Sequence, residues 1–199
     1  LAIYSSNRRG GLPSDDTLPN HLLPYAILAG DGPTLDRFAW YWQMQTTLGE
    51  ETVHVRGRLL SRYPVAPAII AAPFYLPQMW FTDWAWPGWR NNKFLVAGYC
   101  GRFAKNAAGA IAALTSVMLI RVLDRHGLRR VALPTALAAA LGSELWAVAS
   151  VELWGHGPAA LALILLVRLI SPGKVSRTRL AAAGLVPAAL TAIRLVDVV

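Results

Sequence analysis

The sequence predicts an all-α, polytopic transmembrane helical bundle with a large extracytoplasmic first loop that contains short juxtamembrane helices. Three observations lead there. Hydrophobic residues make up 55% of the 199-residue chain and charged residues 15%, with a mean hydropathy of +0.39, a balance unlike the charged surface of an ordinary soluble domain. The apolar residues are also unevenly spread. Residues 1–89 are mixed and rich in Trp, Tyr and Pro, while 94–199 is a series of Ala, Leu, Ile and Val blocks separated by brief charged patches, the form taken by hydrophobic spans joined by loops. The basic residues of the second half fall in two patches, 121–130 and 168–179, as Lys and Arg do in cytoplasmic loops.

That distribution weighs against nucleic acid despite the formal charge of +8, since a nucleic-acid binder more often gathers its cations on one soluble face. Cys100 is the single cysteine, which excludes an internal disulfide and a multi-cysteine metal site. Phosphate-cradling glycine loops and the paired-histidine zinc motif are absent from the sequence, so nucleotide-driven energy coupling is not expected.

Residues 1–4 suit the last turn of a membrane helix that precedes them, and the chain ends inside an apolar run, so a piece is expected to be missing at each end. Residues 4–24 concentrate polar chemistry, with Arg8, Arg9, Asp15, Asp16, Asn20 and His21 among turn-forming Gly10, Gly11, Pro13 and Pro19. Residues 18–32 read as a short helix closed by Gly30 and Gly32. A second helix starts at Thr34 and carries Phe38, Trp40, Tyr41 and Trp42, aromatics suited to the headgroup level.

Residues 50–60 alternate, with Val53 and Val55 on one side and His54 and Arg56 on the other, which predicts an extended segment or a hairpin around Gly57. Pro64, Pro67, Pro73 and Pro77 fall within 61–77, a spacing that favours a kinked or re-entrant element. Trp80, Trp84, Trp86 and Trp89 read as an interfacial belt. Spans are then expected at 94–123, 131–151, 153–170 and from 180 onward. This divides the chain into an extracytoplasmic region, 1–93, and a transmembrane region of about four spans, 94–199. With the basic patches cytoplasmic, 4–89 and 152–156 share the opposite side. Small residues recur through the spans, as in AAGAIAAL, and either permit close helix packing or reflect an Ala-rich composition.

Asp15 and Asp16 are adjacent in a loop, so one can act while the other caps a helix. An acid at a membrane rim suits a general base, or a ligand for a metal or a phosphate-bound cation; capping or solvent exposure is the plain alternative. His21 and His54 can position a phosphate or hydroxyl, or serve as ordinary loop residues. Arg8, Arg9, Arg58 and Arg62 offer guanidinium forks to a phosphate or to lipid headgroups. Tyr63 stacks on a sugar ring or anchors at the interface. Glu144 and Arg194 fall within predicted spans, and Glu152, Trp154 and His156 form an outer cluster.

The order of SDDT at 14–17, SRYPVAPAIIAAPFYLP at 61–77 and LWGHGPAAL at 153–161 resembles the N-terminal portion of a bacterial polytopic glycosyltransferase of the GT-C type, the superfamily of the protein mannosyltransferases and the lipid A aminoarabinose transferase. The resemblance implies transfer of a sugar from a polyprenyl-phosphate donor to an extracytoplasmic acceptor hydroxyl, in a multi-pass protein of the bacterial inner membrane. It makes Asp16 the general base with Asp15 in reserve, and places Arg62, Tyr63 and His156 at the substrate cavity; His21, read above as positioning a phosphate or hydroxyl, joins them as an expected substrate-binding residue. No cofactor is assigned, a divalent metal being an option. The expected partners are the lipid-linked donor and the bilayer, without nucleic acid, and the oligomeric state is left unassigned. The rival readings are a transporter or lipid-linked-sugar flippase, which gives weight to Glu144 and Arg194, and a non-enzymatic membrane scaffold.

Overall fold

The chain was described from a computed structural model covering residues 17–44, 51–171 and 176–194. Helices account for most of it. Helix α1 (Leu18–Leu28) is followed by a 3₁₀ turn (Asp36–Phe38), α2 (Ala39–Met44) and an antiparallel hairpin of β1 (Thr52–Val55) and β2 (Arg58–Ser61). Helices α3 (Ala66–Ala85), α4 (Lys93–Arg125) and α5 (Arg129–Gly142) come next. A single π-helical turn (Leu145–Ala149) then leads to α6 (His156–Ile170) and α7 (Arg177–Arg194).

Helix α4 is the axis of this arrangement. Its 33 residues extend ~50 Å at 1.5 Å per residue, and α1, α3, α5 and α6 all pack against it. Both of its ends are specified locally. Asn92, in an extended conformation, accepts hydrogen bonds from the N–H groups of Phe94 and Leu95 at 3.0 and 3.3 Å, so two of the first turn's free donors are met. At the other end Gly127 has φ +77°. The Leu128 N–H donates to the Leu123 carbonyl and the Gly127 N–H to the Asp124 carbonyl, at 2.9 and 3.1 Å, the paired bonds of a Schellman stop. Small residues let neighbours close in on the shaft: Ala104, Ala107 and Ala112 have no exposed surface.

One core joins the first helices to this shaft. Leu22, Leu23 and Tyr25 of α1 share it with Ala68, Tyr75 and Met79 of α3, and with Cys100, Phe103 and Ile111 of α4. The hairpin is attached from outside. Val53 pairs with Leu60 and Val55 with Arg58, and the Leu35 N–H donates to the Leu59 carbonyl at 2.8 Å. Asp36 accepts from the Leu59 N–H at 2.7 Å and from Arg58 at 3.0 Å, and these bonds, the backbone one first, hold its carboxyl below its ordinary range.

The polytopic bundle is not what folds. Among the described helices one, α4, is long and apolar enough to cross a membrane. The second expected span, 131–151, is broken after Gly142, where the backbone turns extended at Ser143 and re-forms as the π turn. The third yields 15 helical residues and α5 yields 14, ~22 Å against the ~30 Å of a hydrocarbon core. Helix α7 begins and ends on arginines and contains Pro187. The mean apolar content of the second half is real, but it is cut into pieces too short for four crossings, and a multi-pass placement with an extracytoplasmic first loop loses its basis.

The proline-rich stretch also differs from expectation. Instead of a re-entrant element, 66–85 is a continuous helix with Pro67 near its start and Pro73 and Pro77 inside. Both internal prolines lie on the exposed side. The carbonyls that lose a donor to them, four residues earlier at Ile69 and Pro73, lie on that same side, where water meets them without breaking the core-facing ladder.

Candidate functional site

The residues predicted to act are distributed over separate elements. Asp15 and Asp16 lie outside the described residues. His21 sits in α1, Arg62 and Tyr63 follow β2, and His156 opens α6. Arg62 is exposed and its N–H donates to the Glu51 carbonyl at 2.9 Å. The Tyr63 N–H donates to Ser61 Oγ at 2.9 Å. His156 is exposed beside Trp154, their ring centres 6.4 Å apart. Glu144, expected within a span, is exposed just before the π turn.

His21 occupies a buried polar seam between α1, α3 and α4. It has no exposed surface, and neither ring nitrogen has a hydrogen-bond partner among the described residues. Its own carbonyl accepts from the Tyr75 hydroxyl at 2.9 Å, and that hydroxyl also lies 3.3 Å from the Cys100 carbonyl. Farther along, Gln78 of α3 donates to the Phe74 carbonyl at 2.8 Å and accepts from Asn106 of α4 at 2.5 Å. Thr17, ahead of α1, donates to Glu152 at 2.9 Å. Burial first, and the Lys105 ammonium second, bring the His21 pKa down to about 3. An imidazole that stays neutral at pH 7 and is sealed from solvent cannot exchange a proton with a substrate. Burial likewise pushes the Tyr75 hydroxyl and the Cys100 thiol up, so neither offers an oxyanion or thiolate nucleophile. This seam ties helices together.

The aromatic region divides into an inner and an outer set. Trp89, read from sequence as part of a belt, is 2% exposed. Its ring meets Tyr25, Tyr99 and Phe103 edge-on at centroid distances of 5.8, 5.2 and 6.0 Å, and its Nε1–H donates to Asp83 at 2.8 Å. Asp83 also takes two bonds from Arg90, at 2.8 and 2.6 Å, which hold its carboxyl below the usual range. Gly88, at φ +91°, gives the left-handed turn that folds Trp89 inward.

The outer set is different. On α3 the small residues Ala68, Ala71 and Ala72 face the core, while Ile69, Leu76, Trp80, Phe81 and Trp84 are 53–74% exposed. Pro73 and Pro77 complete that side. An amphipathic helix in a self-sufficient fold confines its large apolar residues to an inward stripe; α3 buries Tyr75 and Met79 there and carries a second apolar set outward. A contiguous apolar patch of this kind marks an interaction site. Sequence reasoning identified the tryptophans and missed the helix that carries them. The 69, 73, 76, 80, 84 spacing was its signal, masked by prolines that argued for a break.

No protein family, curated protein or solved structure matches the chain. With one membrane-length helix among the described residues and no such match, the resemblance to GT-C glycosyltransferases is overturned. Sugar transfer from a polyprenyl-phosphate donor, and the donor and bilayer as partners, go with it, because each rested on that architecture. The enzyme reading also loses its support: among the described residues no group of three His, Cys, Asp or Glu is placed to hold a metal, and the buried His21 and Cys100 are chemically silent.

Proposed function

We propose that this chain is a non-catalytic helical docking module that binds a protein through the outward face of α3. The observation that carries this reading is the second apolar face of that helix: Trp80 and Trp84 are each 74% exposed, while Tyr75, Met79 and the alanines already fill its core side. Tryptophan is the residue type most enriched among the anchors of protein interfaces, where it contributes large rigid area at small entropic cost. A helix laid on a groove or on another helix uses anchors at this spacing. The rest of the fold supports such a role. The Asp83 bonds to Trp89 and Arg90 fix the end of α3, and the Tyr75, Gln78 and Asn106 bonds hold α3 to α4, so the face is presented on a rigid support.

The test is site-specific photo-crosslinking in the cells that make the protein. A benzophenone amino acid in place of Trp80 or Trp84 is expected to give discrete protein adducts. The same probe at His54, exposed on the hairpin, is expected to give none. Adducts formed only with lipid, or equally from both places, would remove the reading.

A further inference from the structure

The cations of the second half form two patches along the chain, and the fold brings those patches together. Arg121, Arg125, Arg129 and Arg130 come from the first, Arg168, Arg177 and Arg179 from the second, and the one acid of both stretches is Asp124. These seven arginines less Asp124 give +6, against +8 for the whole chain. His126, just past α4, and Ser171, just past α6, join the two patches, with His126 Nε2 3.0 Å from Ser171 Oγ. The Arg179 guanidinium of α7 reaches back to the Leu169 and Ser171 carbonyls, and the turn from α4 into α5 is closed by the Leu128 bond to Leu123. The ends of α4 and α6 and the starts of α5 and α7 therefore meet, with Arg121, Arg125, Arg129, Arg130 and Arg177 exposed there. With the multi-pass placement gone, cytoplasmic loops no longer account for this charge, and cations gathered on one surface are the electrostatic footprint of a nucleic-acid binder.

The helix termini carry the same sign. Helix α5 begins with Arg129 and Arg130, and Arg177 and Arg179 open α7; neither helix has an acid in its first turn, and no side chain caps α5. The positive end of a helix dipole disfavours cations beside it, so both placements are unfavourable until an anion lies against them. The arginines are spread over four helix ends, beside an open cleft of about 650 Å³ lined by Gly127, Leu128, Arg129, Arg130 and Val131, which suits an extended polyanion. Charge density separates the classes. A duplex carries one charge per ~1.7 Å of its axis, whereas an extended peptide made wholly of acids carries at most one per ~3.3 Å. Phosphate oxygens also take guanidinium forks and helix N-terminal N–H groups together.

We propose that the arginine end of α4 and its neighbours binds the sugar–phosphate backbone of a double-stranded nucleic acid, without reading its bases. This site is separate from the α3 face. From the level at which Asn106 of α4 bonds Gln78 of α3 to Arg125 is ~28 Å along α4, at 1.5 Å per residue. Binding there does not rest on the docking reading, and either can fail alone.

Fluorescence anisotropy of the full chain with two DNA duplexes of unrelated sequence tests this. Both are expected to bind equally, with affinity falling about 100-fold between about 50 and 200 mM salt, the dependence for about four neutralised phosphates. Arg129→Gln with Arg130→Gln is expected to weaken binding about tenfold or more and to flatten the salt slope by about 2. Arg121→Gln with Arg177→Gln, on two other helices, is expected to do the same. All four side chains are exposed, so far-UV circular dichroism is expected to stay unchanged. Arg56→Gln, exposed on the hairpin, is expected to leave binding as it is. No binding at low salt, binding that both arginine pairs leave unchanged, a preference for one duplex, or equal binding to poly-glutamate overturns the proposal. Binding confined to phosphatidylglycerol vesicles overturns it too, since the surface would then be one for lipid headgroups.

Discussion

Tyr75 shows how much a single hydroxyl does in this fold. It is fully buried and reaches carbonyls on two different helices, those of His21 and Cys100. Removing the oxygen leaves both carbonyls in the core with one acceptor site unmet. Tyr75→Phe is therefore expected to lower stability by about 1–3 kcal/mol, read from urea unfolding at constant slope. His21 gives a second measurement at this scale. Its folded pKa is about 3 against an ordinary 6.5, so below pH 6.5 the unfolded chain binds a proton that the folded chain does not. The His21 contribution is fully present above pH 6.5 and is lost as pH falls from 6.5 toward 3, at up to about 1.4 kcal/mol per pH unit. In His21→Leu, unfolding midpoints measured between pH 7 and pH 4 are expected to fall less steeply than in the wild type.

At the scale of the element, α4 is terminated by backbone geometry more than by side-chain packing. Nothing lies within 4 Å of a Cβ built on Gly127, yet its φ is +77°. Gly127→Ala thus has room but no comfortable backbone, and a loss of about 1 kcal/mol is expected, measurable by thermal unfolding, with α4 intact by circular dichroism. The outer residues of α3 behave in the opposite way. Because Trp80 and Trp84 are largely solvent-exposed, replacing them is expected to leave the fold in place, read by far-UV circular dichroism, and to remove protein crosslinking from the α3 face. A variant at either position that unfolds the chain would show that these indoles hold α3 in addition to Tyr75, Met79, the inner alanines and the polar bonds to α4.

For the whole molecule, close approach to α4 sets the limits. A Cβ on Gly157 of α6 would stand 3.5 Å from the Ala149 carbonyl and 3.7 Å from Ile111, ordinary contact distances, so Gly157→Ala is accommodated sterically. Ala107→Leu has no such allowance. Ala107 is completely buried on the shaft, and extra methylenes there are expected to cost about 1–3 kcal/mol, against little change for Val117→Leu, whose side chain is 47% exposed. Chemical denaturation of the two variants compares them directly.

Several features followed from sequence because their causes are local. The alternation of 52–55 and the Arg56–Gly57 turn give a hairpin, and the run from 94 to 123 gives one helix of nearly that extent, since periodicity and turn chemistry act over a few residues. The abundance of small residues likewise follows from composition. Only the tertiary structure decided what those elements do. It broke 131–151 at Ser143, carried α3 through Pro73 and Pro77, buried Trp89 while leaving Trp80 and Trp84 outside, and sealed His21 in a seam where its chemistry is suppressed. The physical reason is common to all four. Hydropathy records how apolar a residue is, but the side of a helix that finds a partner is fixed by contacts between residues far apart in the chain, and those contacts turned an apparent membrane belt into one buried anchor and one open face.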